Sequence, residues 1–318
     1  MKLNFEKKYY IIISLIIFTL IIIYFFYYFY YFKKDKITLL QNQTFNQKVQ
    51  QRENFSNNIQ DNLEKLNLKR NWQVLDPQIN AESILIETID NKQPIFYFNS
   101  YKKWPIASLT KLLTAVVLLE NLDNLNEKIE IDKFALSAYG TNGNLKLGEI
   151  YNAIDLLKIM IISSSNDAAV AFEQFLGKDN LINLINKKIK ELKMEQTIIY
   201  DSSGLDEKNV STANDLNILL RYILLNHPEI LNWTRLPNLL VQPSNKNYTN
   251  NVLNINPFIN YNNFWGGKTG TNDKAKQNFI GIFTIKNQRF IIIILGATDR
   301  EKEVKNLLNW VKTAYNLN

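Results

Sequence analysis

The sequence predicts a mixed α/β fold, in which an antiparallel sheet is flanked by helices and preceded by one transmembrane helix. Runs of strand-forming residues occur in pairs, at residues 83–98 and 279–295, and a short polar turn joins the members of each pair. Between these pairs, apolar residues recur with helical spacing. A chain of 318 residues is long enough to bury a sizeable core.

The N-terminal segment predicts a single membrane span at residues 9–32. This run is apolar and uncharged, and it exceeds the roughly 20 residues that a bilayer requires. A buried core helix is not expected, because every face is apolar. A cleaved signal peptide is not expected either, because no small-residue cleavage site follows. We interpret the run as a signal anchor after a cytoplasmic tail, residues 1–8. Lysines flank both ends, so charge alone does not set the orientation.

Positive charge is concentrated near the predicted span. Residues 1–8 and 33–70 carry net charges of +2 and +4 in a total of +7, which leaves +1 for the rest of the chain. This distribution suits anionic lipid headgroups and does not indicate nucleic-acid binding. Residues 33–70 are also rich in Asn and Gln, which is typical of a stalk. We therefore expect one globular domain at residues 71–318.

The rare residue types exclude several kinds of site. The chain has no cysteine, so it forms no disulfide and no thiolate metal centre. Its single histidine, His227, precedes a proline at the expected end of a helix. A multi-histidine metal centre and a Ser-His-Asp triad are therefore not expected. The sequence implies no metal and no organic cofactor.

The globular part divides into the following expected elements. A first hairpin comprises Ser83–Thr88 and Pro94–Phe98; helices cover about 108–120, 151–161, 168–176, 180–194 and 211–225; a strand-like stretch at 263–271 precedes a second hairpin, 279–285 and 289–295, and a closing helix at 301–315. The isoleucine run at 291–294 is too short to span a membrane, so we expect it to form a central buried strand.

Ser108 and Lys111 form the first candidate pair. They are three residues apart at the start of a helical run, so their side chains lie on one face. A serine hydroxyl needs a neighbouring base to become a good nucleophile, and lysine provides one when its pKa is lowered. The structural alternative is that Ser108 only caps the helix and Lys111 occupies its first turn.

Two further polar stretches are candidates. Three serines at 163–165 and Asn166 lie between two apolar helices, either as a site loop or as a simple helix cap. Lys268 lies among glycines that allow a ligand close to the backbone, although a lysine on a strand is more often solvated. Arg300 precedes Glu301, with which it can form an ordinary surface ion pair.

Together, these stretches resemble a known family. Ser-x-x-Lys at 108–111, Ser-x-Asn at 164–166 and Lys-Thr-Gly at 268–270 occur in the order found in penicillin-binding proteins and serine β-lactamases. The segments around Ser108, 204–206, 211–216 and 295–301 are most similar to D-alanyl-D-alanine carboxypeptidases of low molecular mass. The resemblance covers about residues 72–316. It implies a DD-peptidase-like antiparallel sheet with helices on both faces, beside an all-helical subdomain that carries residues 164–166.

The resemblance also implies roles for individual residues. Ser108 is the nucleophile, Lys111 its base, and the N–H groups of Ser108 and Thr271 form the oxyanion hole. Ser164 passes a proton to the leaving amine, Lys268 supports it, and Asn166 holds the acyl side of the substrate. The expected substrate-binding residues are Thr269, Gly270, Thr271 and Arg300.

The implied activity is removal of the terminal D-alanine from peptidoglycan stem peptides, with β-lactams as covalent inhibitors. Peptidoglycan lies outside the membrane, so we expect a cytoplasmic N-terminus and an extracytoplasmic domain in a bacterial cell membrane. We also expect the N-terminal anchor to replace the C-terminal stalk and membrane helix of many members. Alternatives are an endopeptidase of peptidoglycan cross-links, a β-lactamase and a β-lactam sensor.

Overall fold

A computed structural model describes residues 24–25, 68–140 and 143–317. Within these ranges, no helix is long and apolar enough to cross a membrane. Except for residues 24–25, the predicted span at 9–32 lies outside the described residues. The predicted tail and most of the predicted stalk lie outside them as well. Residues 68–140 and 143–317 belong to one compact unit.

Residues 68–140 and 143–317 contain eleven strands and seven α-helices. In chain order they are β1 (Ser83–Thr88), β2 (Pro94–Phe98), β3 (Trp104–Pro105), α1 (Thr110–Asn121), β4 (Lys128–Glu130), β5 (Ile150–Asn152), α2 (Ala153–Ile162), α3 (Asn166–Leu176), α4 (Lys178–Glu191), β6 (Val210–Ser211), α5 (Ala213–Asn226), α6 (Pro228–Trp233), β7 (Asn238–Val241), β8 (Asn250–Leu253), β9 (Phe264–Asn272), β10 (Lys276–Ile285), β11 (Gln288–Ala297) and α7 (Arg300–Ala314). A short 3₁₀ helix, Ala107–Leu109, precedes α1.

The main sheet has five antiparallel strands in the order β2-β1-β11-β10-β9. The predicted central strand is confirmed, because β11 occupies the middle and all ten of its residues are buried. Its alternate side chains face opposite sides. Ile291 and Ile293 belong to the core that contains residues of α1 to α6, while Ile292 and Ile294 belong to the core that contains residues of α7. The sheet therefore separates two cores, with helices on both faces as predicted.

The helices α1 to α4 contact one another in sequence and form the helical layer beside the sheet. This arrangement agrees with the predicted helical subdomain. The helix predicted from residue 168 begins earlier, at Asn166, because the Ser165 hydroxyl accepts the N–H of Ala168 at 3.0 Å and caps it. The helix α6 and the hairpin β7–β8 were not predicted. They are short, and their strand pairing is set by tertiary contacts.

Candidate active site

Ser108 lies in the tight turn that leads into α1. The preceding residue, Ala107, has a φ of +47°, a left-handed conformation that is uncommon for a residue with a Cβ. Such strain is typical of functional turns, and it presents the half-buried Ser108 side chain to the site. The helix α1 has no side-chain cap, because Leu109 occupies its N-cap position. The alternative in which Ser108 merely caps the helix is therefore wrong.

Lys111 lies fully buried in the first turn of α1 and makes three polar contacts. Its Nζ is 3.1 Å from Ser108 Oγ, 2.7 Å from Asn166 Oδ1 and 2.5 Å from the carbonyl oxygen of Ser203. Burial lowers the pKa of Lys111 to about 7, although the negative charge of Asp201 acts in the opposite direction. Near neutral pH a large fraction of this amine is therefore uncharged.

The contacts of Lys111 also orient its lone pair. A neutral amine has two N–H groups and one lone pair. Asn166 Oδ1 and the Ser203 carbonyl can only accept hydrogen bonds, so they take the two N–H groups. The lone pair is left facing the Ser108 hydroxyl, which can donate its proton. The geometry therefore aligns a proton donor, the Ser108 hydroxyl, with a proton acceptor, the Lys111 amine.

Asn166 is held with its oxygen toward Lys111. Its Nδ2 donates to the carbonyl oxygen of Tyr139 at 2.6 Å, which assigns the amide orientation, since a carbonyl cannot accept from Oδ1. Asn166 belongs to the first turn of α3, which Ser165 caps. The sequence left open whether the 163–165 stretch is a cap or a site loop. In the structure it is both, because Ser165 caps and Ser164 faces Lys268.

Ser164 and Lys268 form a second serine–lysine pair. Lys268 Nζ, on β9, donates to Ser164 Oγ at 2.7 Å and to the Thr269 carbonyl at 3.0 Å. Lys268 is only 3% exposed, so the interpretation as a solvated strand lysine is wrong. Burial, followed by the charges of Lys111 and Arg300, lowers the pKa of Lys268 well below its usual value. Ser164 has a φ of +59°, so this turn is strained as well.

The strand β9 runs past the nucleophile at very close range. A Cβ placed on Gly270 would lie 2.7 Å from the Ile106 carbonyl oxygen and 3.2 Å from the Ser108 nitrogen. Only glycine allows this approach, which brings the backbone of β9 beside Ser108. Thr269 is buried and the Thr271 side chain is exposed. The oxyanion hole expected from the N–H groups of Ser108 and Thr271 stays a prediction.

Arg300 does not form the ion pair that was considered for it. Its Nη1 donates to the carbonyl oxygens of Gly270 at 2.9 Å and Asn278 at 3.1 Å, while Glu301 pairs with Lys305 at 2.8 Å. Burial lowers the pKa of Arg300, although nearby Asp299 acts against this. The guanidinium therefore braces β9 from the start of α7 and adds positive charge behind the Lys-Thr-Gly stretch.

Two contributors to the site are backbone carbonyls that the sequence analysis missed. The carbonyl of Ser203 binds Lys111, and the carbonyl of Tyr139 orients Asn166. The only available signal was the turn-rich composition of residues 200–206, which carries no information about a carbonyl direction. Among the described residues, no group of three or more His, Asp or Glu side chains converges in a way that could hold a metal ion.

Comparison with known proteins gives consistent matches. Residues 70–299 match the family described as D-alanyl-D-alanine carboxypeptidase, peptidase S11. The chain is 28% identical over 250 residues to the D-alanyl-D-alanine carboxypeptidase DacF of Bacillus subtilis, covering 74% of this chain and 63% of that relative. It is 29% identical over 248 residues to a D-alanyl-D-alanine endopeptidase of Pseudomonas aeruginosa, covering 75% and 79%.

Solved structures support the same assignment. The crystal structure of a D-alanyl-D-alanine carboxypeptidase from Mycobacterium tuberculosis H37Rv superposes with a TM-score of 0.69 at 27% identity, covering 77% of this chain and 95% of that one. The Streptomyces K15 DD-transpeptidase, at 22% identity and a TM-score of 0.68, covers 76% of this chain and all of that one, and it shares the fold. The family match extends over well more than half of the chain, and the protein therefore belongs to the D-alanyl-D-alanine carboxypeptidase family.

Proposed function

We propose that this protein is a serine-type D-Ala-D-Ala carboxypeptidase that removes the terminal D-alanine from peptidoglycan stem pentapeptides. The observation that carries the proposal is the pair of acceptors on Lys111. Asn166 Oδ1 and the Ser203 carbonyl occupy both N–H groups of the neutral amine and direct its lone pair at Ser108. A pKa of about 7 suits a base that works near neutral pH.

Acyl transfer would proceed in two steps. Ser108 Oγ attacks the carbonyl between the two D-alanines while Lys111 takes the hydroxyl proton. The N–H groups of Ser108 and Thr271 stabilise the oxyanion, where losing one such donor costs about 10²–10³ in rate. Ser164, in contact with Lys268, passes a proton to the leaving D-alanine amine. Water then hydrolyses the ester on Ser108 and releases the shortened peptide.

The electrostatics of the site favour a substrate that ends in a carboxylate. Lys111 and Arg300 both act on the buried Lys268 and disfavour its protonation. A carboxylate bound beside Lys268, Thr269 and Arg300 would offset this repulsion and raise the pKa of Lys268. We therefore propose that these residues bind the free terminus of the stem peptide. This preference is what distinguishes an exopeptidase from a general serine hydrolase.

The same route accounts for the proposed inhibitors and location. A β-lactam would acylate Ser108 by ring opening and remain attached. The uncharged apolar run at 9–32, with lysines on both sides, supports anchoring of the domain to the cell membrane. We propose a cytoplasmic N-terminus and an extracytoplasmic domain, because peptidoglycan lies outside the membrane.

An endopeptidase that cuts peptidoglycan cross-links is the second candidate. It is favoured by the Pseudomonas relative, which is named as an endopeptidase and shares 29% identity with this chain. The two activities would use the same residues. They differ in whether the amine that leaves belongs to free D-alanine or to a second stem peptide.

The test is release of free D-alanine from a pentapeptide ending in D-Ala-D-Ala by the detergent-solubilised 318-residue chain. We expect release by the wild type and by Ser137→Ala, a change at an exposed serine, and none by Ser108→Ala. A cross-linked dimer is assayed in parallel. Cleavage of the dimer without release of D-alanine would replace the carboxypeptidase proposal with the endopeptidase one.

A further inference from the structure

Asp201 organises the loop that supplies the Ser203 carbonyl. Asp201 Oδ1 accepts the N–H groups of Ser203 at 2.7 Å, Gly204 at 2.6 Å and Leu205 at 3.3 Å, as well as the Ser203 hydroxyl at 2.7 Å. Its Oδ2 accepts the N–H of Asp206 at 2.6 Å. Asp201 is only 8% exposed, and its carboxylate joins the four consecutive residues 203–206 to a single side chain. A backbone turn closed in this way has little freedom to rotate its peptide planes.

The loop is also tightly packed against the nucleophile and α1. A Cβ placed on Gly204 would lie 2.0 Å from the Ala107 carbonyl oxygen, so the loop backbone touches the turn that carries Ser108. Thr114 Oγ1 donates to the Ser202 carbonyl at 2.7 Å from inside α1. The orientation of the next carbonyl, that of Ser203, is therefore set from both sides.

We propose that Asp201 is a positioning residue of the active site, which holds the Ser203 carbonyl on Lys111 and so directs the lone pair of Lys111 toward Ser108. The inference rests on the proposed function, because Lys111 is assigned there as the general base. Asp201 does not itself contact the reacting atoms. It acts through one peptide group.

The charge of Asp201 gives the proposal a second, measurable consequence. Two charged groups act near Lys111 in the described part of the chain, Asp201 from the loop and Lys268 from β9. The negative charge of Asp201 raises the pKa of Lys111 against the effect of burial. Removing this charge, or withdrawing the carbonyl that stabilises the ammonium form, would lower that pKa. Both effects have the same sign.

The test compares Asp201→Asn with Asp206→Asn in the detergent-solubilised 318-residue chain. Asparagine at 201 offers one oxygen in place of two, so at least one backbone N–H of the turn loses its acceptor. Asp206 is the matched control, because it lies in the same loop and its carboxylate accepts the N–H of Lys208 at 2.9 Å. The first readout is the rate of acylation by a fluorescent penicillin across pH. The second is titration of the ¹³Cε resonance of Lys111, assigned by its loss in Lys111→Met.

For Asp201→Asn we expect acylation about 10- to 100-fold slower, because a small misplacement of a catalytic group is costly. The acid limb of the profile and the Lys111 titration should both move to lower pH. Asp206→Asn should match the wild type in both. An unchanged Lys111 titration in folded Asp201→Asn would overturn the proposal, since a purely structural role lowers the folded fraction without moving this pKa.

The titration needs no turnover, so it also separates the two proposals. A chain that released no D-alanine would refute the proposed function, while the ¹³C titration would still decide the role of Asp201. If Asp201→Asn does not fold, Asp201→Glu replaces it. Glutamate keeps the charge but is one methylene longer, so we expect slow acylation with a smaller shift of the Lys111 titration to lower pH, because only the contribution of the displaced Ser203 carbonyl is lost. Wild-type acylation in Asp201→Glu would overturn the positioning role.

Discussion

Lys111 and Lys268 are both buried lysines with lowered pKa values, yet their contacts give them different tasks. Lys111 faces one hydroxyl and two acceptors that cannot donate, which leaves its lone pair for Ser108. Lys268 faces the Ser164 hydroxyl and one carbonyl, with the charges of Lys111 and Arg300 nearby. The contacts of Lys111 therefore leave it a free acceptor position toward Ser108, whereas the neighbouring positive charges make Lys268 the lysine that a bound anion would stabilise most.

The pKa of Lys111 predicts the pH dependence of acylation. Burial lowers this pKa to about 7, and only the neutral amine can take the Ser108 proton. The rate should therefore rise with pH through about 7 and level off above it, and well below 7 it should fall about tenfold per pH unit. The measurement is kcat/KM for β-lactam acylation between pH 5 and 9, which reports on the free enzyme.

Tryptophan fluorescence serves as the control for unfolding in that experiment. All five tryptophans lie between residues 72 and 310, so their emission reports on the part that contains the site. A profile without an acid limb, in protein that stays folded, would show that Lys111 is not the base whose protonation limits acylation.

At the scale of elements, the site forms where three backbone segments meet without intervening side chains. The turn at Ala107–Leu109 packs against both the loop at 201–206 and the strand β9. Gly204 lies against the backbone of Ala107, and Gly270 lies against the backbone of Ile106 and Ser108. Because each glycine allows one backbone segment to contact another, the carbonyl of Ser203 reaches Lys111 and the backbone of β9 lies beside Ser108.

Gly204→Ala tests this packing, with Gly148→Ala as its matched control. Both glycines have positive φ, +85° and +71°, so alanine costs about 1–2 kcal/mol of backbone strain at either position. Only at 204 does the new Cβ meet another atom, at 2.0 Å, whereas Gly148 has nothing within 4 Å. We expect Gly204→Ala to slow acylation by at least about tenfold, because it moves the Ser203 carbonyl. Gly148→Ala should acylate at the wild-type rate.

Penicillin labelling of both variants, corrected for the folded fraction, gives the answer. Equal losses of acylation rate in the two variants would mean that backbone strain from the positive φ accounts for the loss. The close contact between the loop and the turn that carries Ser108 would then have no effect on acylation.

At the scale of the whole molecule, one strand joins the two cores. Alternate side chains of β11 pack into the core of the helical layer on one face of the sheet and into the core that contains α7 on the other. The site lies at the edge of this sheet, on β9, and at the start of the helices α1 and α3. Its geometry therefore depends on a sheet that is anchored from both sides.

Ile293→Ala tests how much this central strand contributes to the free energy of unfolding. Ile293 is fully buried against the helical layer, so its truncation should lower the free energy of unfolding by about 2–5 kcal/mol. The control, Leu225→Ala at a residue that is 77% exposed, should stay within about 0.5 kcal/mol of the wild type. Urea unfolding followed by tryptophan fluorescence measures both. A loss below 1 kcal/mol for Ile293→Ala would mean that the core around β11 relaxes to fill the space.

Much of this protein follows from local sequence patterns. The bounds of β1 and β2 are those predicted, and the α-helices other than α6 lie within a few residues of their expected positions. Periodicity determines these elements because burial of one face is a local property. The spacing of Ser108 and Lys111 likewise determines their contact, since three residues on a helix suffice to bring the side chains together.

The tertiary structure decided what surrounds that pair. Asn166 and Ser203 reach Lys111 from 55 and 92 residues away, and Ser203 does so with a carbonyl that every residue type possesses. The direction of a carbonyl depends on how its loop is closed, here by Asp201 and by the contact at Gly204. Residue identity and spacing therefore determined which serine and lysine form a pair, and only the folded chain determined where the lone pair of that lysine points.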